Sequence, residues 1–286
     1  MSDAQIFDRG YRTFEGERSG LRGAVRSVVW HTTRSILGLG RSARHKVFPV
    51  AVIVIAFLPA LAFLALAVLI GDLVGEVRPE YWEFFGFAFL ATLVFTALVA
   101  PEALVRDRRD GMYSLYLSTP LSKVSYLASK VGAVLLVMSL VVLAPPLLWL
   151  LGYTFQNQGP DGLTEWIWVA FRLIVAGLAI CVTYASVSLG VSSLTDRRAF
   201  ASIAVVLFLL GLSIIAEVLA EVAELDQHIR LIDPLGTVFE LSPRLFGDRG
   251  EGFQDVSTMA VAAATVGWIA FGVGLIVARY RKLDAV

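Results

Sequence analysis

Residues 47–70 read VFPVAVIVIAFLPALAFLALAVLI, a run that contains no charged side chain. A helix needs roughly 20 consecutive apolar residues to cross the hydrocarbon core of a bilayer, so this run predicts a membrane-spanning helix. Five more apolar runs lie further along the chain, at 81–100, 124–155, 166–194, 200–216 and 256–278. The chain of 286 residues is 57% hydrophobic and only 17% charged. The sequence therefore predicts an all-α polytopic membrane protein with six transmembrane helices.

Two of these runs, 124–155 and 166–194, are longer than one crossing requires. We expect each of them to extend beyond the bilayer or to bend. Pro145 and Pro146 lie inside the first of the two. Because a proline in a helix interior removes a backbone hydrogen bond and clashes with the preceding turn, a kink is predicted there.

Positive charge is unevenly distributed among the segments that connect the predicted spans. The segments that would share a side with both termini carry 19 of the 24 Lys and Arg residues, and the alternate segments carry four. Cytosolic loops of membrane proteins are enriched in Lys and Arg, so this distribution places both termini in the cytosol. The expected location is the cell (plasma) membrane, crossed an even number of times.

The first 46 residues are predicted to form a cytosolic arm and a helix, ahead of a membrane domain over residues 47–286. Within 21–39, apolar side chains recur on one stripe at helical spacing, while Arg22, Arg26 and Arg34 lie off it. We predict an amphipathic interfacial helix along the inner leaflet. The alternative is a cytosolic helix that packs on another domain.

The segment between the second and third runs, residues 102–122, reads EALVRDRRDGMYSLYLSTPLS. It is too long and too patterned for a minimal turn. Arg106, Arg108 and Arg109 lie beside an apolar stripe, which ends before Pro120. We predict a short amphipathic helix on the cytosolic side, held between two membrane helices. A helix in that position is accessible to a soluble partner.

The segment 217–255 is long for an extracellular loop and is not a clean span. Glu217, Glu221 and Glu224 share a helical face, and prolines at 234 and 243 break the remainder of the segment twice. We predict short, broken helices that dip into the outer leaflet before the sixth span. A surface cap without a functional role would explain the same pattern.

The sequence lacks the motifs of several common kinds of catalytic and binding site. It contains no G-x-x-x-x-G-K-[ST] loop for ATP, no H-E-x-x-H metal motif and no G-x-S-x-G nucleophile motif. The three histidines are isolated and the single cysteine, Cys181, lies in a predicted span, so no metal site is expected. Four serines near the end of the fourth run are expected to serve helix packing: Ser186, Ser188, Ser192 and Ser193. Membrane lipids are expected partners, and nucleic acid is not.

Lys130 and Arg172 are the only basic residues within the predicted runs. Both lie within two turns of an end, from which a long side chain can snorkel to water. A charge at the bilayer centre costs roughly 2.5–3.5 kcal/mol and usually serves a function. The lack of such groups at mid-depth argues against an ion-coupled pump or a proton relay.

This combination resembles the type-2 permeases of ATP-binding-cassette (ABC) exporters. In that family the loop after the second span combines charged residues, a glycine, a Leu-rich turn and small residues that end in proline. Here the corresponding residues are Arg108-Arg109-Asp110-Gly111, Leu115, Leu117 and Ser118-Thr119-Pro120-Leu121-Ser122. Met112 stands where threonine is usual, and Ser114 stands where glutamate is common.

The resemblance implies that this segment is a coupling helix that docks on a separate ABC ATPase subunit. ATP and Mg²⁺ would be bound by that subunit, and no cofactor is expected in this chain. The implied contacts are arginines that pair with partner carboxylates, an adjoining acid and apolar anchors: Arg106, Arg108, Arg109, Asp110, Met112, Leu115 and Tyr116.

The resemblance further implies a second permease copy, identical or related. The translocation path would lie between the copies and be formed mainly by the second and fifth spans. Phe84, Phe87 and Phe95, near Phe85 and Phe89, would make that path apolar and suited to lipidic or amphiphilic cargo. The alternative for each is an aromatic side chain that faces lipid.

The leading hypothesis is the membrane subunit of an ABC exporter, a transporter component rather than an enzyme. The second hypothesis is a non-transporting scaffold or anchor for an ATPase-containing assembly or maturation complex. The third is an intramembrane enzyme, for which the sequence places no reactive constellation at depth.

Overall fold

The computed structural model describes residues 16, 19–40, 42–70, 79–250 and 252–282. Within these ranges every regular element is a helix. The irregular arm predicted for residues 1–20 lies almost entirely outside the described residues. Six described helices are long and apolar enough to cross a membrane, which confirms the predicted fold class: Lys46–Leu69, Phe89–Arg109, Lys123–Phe155, Gly162–Ser193, Arg198–Val222 and Thr258–Arg281.

The amphipathic helix predicted before the first span is present as α1, Gly20–Ile36. Val28, Thr32 and Ile36 are buried, at the spacing of one helical face. That face packs mainly against α6, Lys123–Val142, which begins the third span. The first span, α2, Arg44–Ile70, comes next in the chain after α1.

The second span begins later than predicted. Tyr81–Glu83 forms a 3-10 turn and Phe84–Phe87 a single α-helical turn, α3, before the long helix α4, Phe89–Arg109. The prediction of a span from residue 81 is therefore wrong. The rings of Tyr81 and Phe84 pack on Trp149, whose ring centroid lies 5.3 Å from the first and 5.5 Å from the second.

The third span consists of two helices, as the paired prolines predict. After α6 the helix is interrupted at Leu143, and α7 continues over Ala144–Phe155 with proline in its first turn. Proline is accepted there because the first backbone N–H groups of a helix have no partner in the helix. Leu64 of α2 packs on α7 where Gly152 leaves no room for a side chain.

The fourth and sixth spans approach each other most closely. They are α8, Gly162–Ser193, and α11, Thr258–Lys282. A Cβ added to Gly190 would lie 2.7 Å from the carbonyl oxygen of Gly272, and one added to Gly272 would overlap the backbone of Ser186. Small residues at both positions let the two backbones touch. α8 also contacts α4 and α6, so it lies at the centre of the bundle.

The segment before the sixth span contains short helices, as predicted. The fifth span, α9, Arg198–Glu217, ends in a π-helical turn over Val218–Val222, and a 3-10 turn lies at Gln227–Ile232. α10, Pro234–Phe246, then packs between α8, α9 and α11. The ring of Phe239 lies 5.5 Å from that of Phe89 and 6.1 Å from that of Tyr184. α10 is therefore inserted into the bundle.

Candidate functional site

The polar segment 102–122 is divided between two helices. Residues 102–109 continue the second span to the end of α4, and Gly111 then adopts a left-handed φ of 67°. Glycine takes this conformation without steric cost, so the chain can turn sharply there. The short helix α5, Met112–Leu117, begins at the next residue. The prediction that the arginines belong to the short helix is wrong, because α4 continues through all three of them.

α5 presents an apolar face to the outside of the chain. The side chains of Met112 and Leu115, three residues apart, are 38% and 64% exposed. The side chain of Arg109 lies just before the turn and is 66% exposed. The exposed surface around α5 thus combines two apolar side chains with one cation.

The opposite face of α5 packs on a group of tyrosine rings. The ring of Tyr113 lies 5.4 Å from that of Tyr126 on α6 and 5.5 Å from that of Tyr280 on α11. The ring of Tyr116 also lies 5.4 Å from that of Tyr126. Burial, and then the nearby carboxylate of Asp107, raise the pKa of the Tyr116 phenol, which stays protonated at physiological pH.

A buried polar cluster lies directly behind these rings. The Lys130 ammonium lies 2.6 Å from Asp107 Oδ2 and donates a 3.0 Å hydrogen bond to Thr32 Oγ1 of α1. The Tyr126 hydroxyl donates to the same Asp107 oxygen at 2.9 Å. Lys130 also lies over the rings of Tyr116 and Tyr126. We call Thr32, Asp107, Tyr126 and Lys130 the polar cluster; it joins α1, α4 and α6.

The prediction that Lys130 snorkels to water is wrong. Its side chain is only 3% exposed, and its charge is neutralised by a carboxylate on the neighbouring helix. A buried charge is tolerated when it is paired and its hydrogen bonds are satisfied, and Asp107 and Thr32 provide both. The Arg172 guanidinium lies over the ring of Phe246 of α10, at 5.5 Å from its centroid.

Arg106 belongs to a second ionic network at the same end of the bundle. It donates to Glu102 Oε1 at 3.0 Å and to Ser35 Oγ of α1 at 2.5 Å. The other oxygen of Glu102 lies 3.0 Å from Arg198, at the start of α9. Glu102 itself is buried. This network ties α1 and α9 to the last turns of α4.

Arg108 binds the end of the fourth span. Its guanidinium donates to the carbonyl oxygens of Ser193 and Thr195 at 2.7 Å each, and to that of Ser192 at 3.3 Å. Carbonyl groups at a helix C-terminus lack partners in the helix and carry partial negative charge, so a guanidinium is well matched to them. The Arg108 side chain is only 6% exposed. It fixes the end of α4 to the α8–α9 connection.

The predicted partner contacts therefore lie in different environments. Arg109, Met112 and Leu115 point outward, whereas Arg108 is buried and Arg106 bonds within the chain. Asp110 caps α4 and pairs with Arg106 at 3.5 Å, and Tyr116 is half-buried. Contact of any of them with an ATPase remains a prediction.

The three predicted path residues also differ in environment. Phe84 and Phe95 are fully buried within the chain, while Phe87 is exposed and contacts the ring of Phe63 at 5.2 Å. Their role in a path remains a prediction. Ser186, Ser188 and Ser193 donate to carbonyl groups of their own helix, as expected of packing residues.

The opposite end of the bundle holds a charged cavity of about 230 Å³. Arg230 lies in it, donating to both oxygens of Glu217, to Glu221 and to the carbonyl oxygen of Gly252. The Glu217 carboxylate raises the pKa of Arg230 above its ordinary value; burial acts in the opposite direction, and Glu221 adds to the increase. The helical spacing of the glutamates is visible in the sequence, but their partner Arg230, which follows the irregular residues 223–226, was not identified.

Comparison with known proteins agrees with this architecture. A family model described as "ABC-2 family transporter protein" matches residues 80–278, which include the second to fifth candidate spans, most of the sixth, α5 and α10. No curated protein sequence matches the chain at a significant level. Among the described residues, no group of three His, Cys, Asp or Glu side chains could hold a metal ion. With six candidate spans and a family match over most of its length, the chain belongs to the ABC-2 transporter family and is a multi-pass membrane component of that kind of transporter.

Proposed function

We propose that this chain is the permease subunit of an ABC exporter and that a separate ATPase subunit docks on α5. The observation that carries the proposal is the exposed apolar pair Met112 and Leu115 beside the exposed Arg109. Partner contacts concentrate on a few apolar anchors flanked by charge, and this surface supplies both. ATP and Mg²⁺ are bound by the partner.

The contacts behind α5 provide a route into the spans. Tyr113 and Tyr116 pack on α6 and α11, and the polar cluster joins α6 to α1 and α4. Arg108 continues the connection to the α8–α9 turn. Displacement of α5 by a closing ATPase dimer is therefore resisted by several helices together, and they move as one body.

A second copy of this chain or of a relative completes the proposed path. α9 supports this, since only Ala201, Val205, Leu209 and Ala216 of its residues are buried within the chain. Its remaining apolar surface is available to face lipid or the other copy. The cargo is lipidic or amphiphilic, because the middle of every candidate span is uncharged.

The basic residues set the proposed orientation. Arg106, Arg108, Arg109 and Lys130 all lie at the α5 end of the bundle, which the positive-inside rule places in the cytosol with both termini. The expected membrane is the plasma membrane.

The test is affinity purification of the tagged chain from native membranes in mild detergent, with mass spectrometry of the proteins that co-purify. The wild type should bring down a P-loop ATPase in stoichiometric amount. Leu115→Asp should lose it, because a charge replaces a central apolar anchor. Leu163→Asp is the matched control, since Leu163 is at least as exposed as Leu115 but lies at the opposite end of the bundle, at the start of α8. Equal retention by both variants would refute docking on α5.

A vesicle assay separates export from the scaffold hypothesis. The purified complex is reconstituted with fluorescent phospholipid, and movement of the probe between leaflets is measured with and without ATP. ATP-dependent movement supports the permease. A complex that holds its ATPase but moves neither lipid nor other amphiphilic probes would support a scaffold.

A further inference from the structure

A groove of about 520 Å³ runs between α1 and α6 at the α5 end of the bundle. One part of its wall is apolar and consists of Val29 and Trp30 of α1 and Leu136 of α6. The other part is polar and is formed by Arg26, Ser27 and Thr33 of α1. Trp30 is 63% exposed and Leu136 is 56% exposed. Both side chains are therefore exposed along the groove.

Leu136, the α6 residue that lines the groove, lies between the apolar and the polar parts of that helix. Leu136 lies two residues from Met138, whose sulfur accepts a hydrogen bond from Thr96 in the uncharged part of α4. Six residues before Leu136, Lys130 already belongs to the polar cluster. The groove thus opens where hydrocarbon gives way to the headgroup region, a level that tryptophan favours in membrane proteins.

Arg26, the charged residue that lines the groove, favours an anion there. α1 contains Arg22, Arg26 and Arg34 and no acidic residue. Arginine is well suited to phosphate because its planar guanidinium can donate two parallel hydrogen bonds. Arg26 is exposed and lies one turn before Trp30, so a cation and an apolar surface are adjacent on one helix face.

The polar wall also holds an unsatisfied hydroxyl. Thr33 is 5% exposed, and its Oγ1 has no hydrogen-bond partner among the described residues. A buried hydroxyl without a partner is costly, and Thr33 is one of the residues that line the groove. Phosphate or ester oxygens in the groove would satisfy it.

We propose that the α1–α6 groove is a binding site for one anionic phospholipid of the membrane. The phosphate lies against Arg26 and Ser27, the ester region lies near Thr33, and an acyl chain covers Val29, Trp30 and Leu136. An anionic lipid can contact both the polar and the apolar wall, whereas a free anion or a neutral hydrocarbon matches only one of them. The site does not depend on the proposed transport function.

The experiment uses the full chain in nanodiscs of phosphatidylcholine with a minor fraction of phosphatidylglycerol. Native mass spectrometry then measures which lipids stay bound after release from the disc. The wild type should retain phosphatidylglycerol in excess over phosphatidylcholine. Arg26→Gln should lower that retention about fivefold, as expected for one basic residue near an anionic surface. Leu136→Trp should also lower it by filling the groove.

Two matched controls test whether the loss of lipid is specific to changes in the groove. Arg22→Gln removes the same charge from the same helix outside the groove, and Leu140→Trp adds the same bulk one turn further along α6, where Leu140 is also exposed. Both should retain lipid like the wild type. An equal loss in either control, no preference for phosphatidylglycerol in the wild type, or displacement of the lipid by inorganic phosphate would overturn the proposal.

Discussion

The Lys130 ammonium lies 2.6 Å from the carboxylate of Asp107, in a site where the two side chains are 3% and 13% exposed. This pair joins the third span to the last turns of the second, immediately behind α5. Charges so well buried are stable only together, because removal of one leaves the other without a partner in a medium of low polarity. The pair therefore provides a sensitive test of the architecture around α5.

We expect Lys130→Met to destabilise the protein by about 3–5 kcal/mol, since it leaves Asp107 buried and unpaired. The double variant Lys130→Met with Asp107→Asn should recover most of this loss, because the remaining amide is neutral and can still accept from Tyr126. The measurement is the thermal unfolding midpoint in nanodiscs. Lys123→Met is the control, as Lys123 is exposed on the first turn of the same helix. If Lys123→Met costs as much as Lys130→Met, the buried pair has no special role.

Arg108 and Arg109 are neighbours in sequence but should behave differently on substitution. Arg108→Gln removes charge-assisted bonds to the carbonyl groups of Ser193 and Thr195, worth about 1.5–3 kcal/mol for a charged donor. Hydrogen exchange of the amides at 194–201 should accelerate by about one to two orders of magnitude. Arg109→Gln should leave that exchange unchanged, because its side chain is largely exposed.

Substitutions at Arg108 and Arg109 also distinguish a structural role from a role in ATPase binding. Arg109→Glu should weaken recovery of the ATPase without altering exchange at 194–201. Unchanged exchange in Arg108→Gln would mean that the carbonyl contacts do not hold the α8–α9 connection.

The sequence predicted the fold class because its apolar runs are long enough to span a membrane. It also predicted the break of the third span at Pro145 and the short helices after residue 217. These features depend on local composition, which a sequence displays directly. The predicted start of the second span was wrong because Tyr81 and Phe84 are apolar residues that pack on Trp149, ahead of the long helix, which begins at Phe89.

The candidate site was located by its sequence pattern, but its internal contacts were not. Lys130 pairs with Asp107 on another helix, and Arg108 binds carbonyl groups more than 80 positions away. No local pattern shows which basic residue points inward. Three arginines of one segment were therefore treated alike, although their side chains are 38%, 6% and 66% exposed at Arg106, Arg108 and Arg109.

The contact between α8 and α11 predicts opposite effects for two glycines of one helix. Gly272→Ala should destabilise the protein by about 1–3 kcal/mol, because its Cβ would overlap the backbone of Ser186. Gly274→Ala should be neutral or stabilise by up to about 1 kcal/mol, since nothing lies within 4 Å of its Cβ and alanine favours the helix. Unfolding midpoints in nanodiscs distinguish the two. Equal effects of both substitutions would show that the helices do not meet at Gly272.

Asp233 predicts a pH dependence of stability at the opposite end of the bundle. Its carboxylate caps α10 by accepting from the amides of Leu235 and Gly236, and Ser213 donates to it at 2.6 Å. Burial nevertheless raises its pKa, and the charge of Glu217 adds to that effect. The folded protein therefore holds the proton of Asp233 more tightly than the unfolded chain does. Stability from this group is present below the ordinary aspartate pKa of about 3.9 and is lost as pH rises through the raised value.

Replacement of Asp233 by a residue that cannot ionise isolates the contribution of its ionisation to stability. Asp233→Asn keeps a good N-cap but cannot ionise, so its stability relative to the wild type should increase as pH rises from about 4 and then level off. Asp233→Ala should show the same pH trend, displaced downward by about 1 kcal/mol for the lost cap. The raised pKa of Glu240, also due to burial, affects all three proteins alike and cancels in the difference. Unfolding midpoints between pH 4 and neutrality give the curves. A difference between Asp233→Asn and the wild type that stays constant with pH, or that falls as pH rises, would show that burial does not control the ionisation of Asp233.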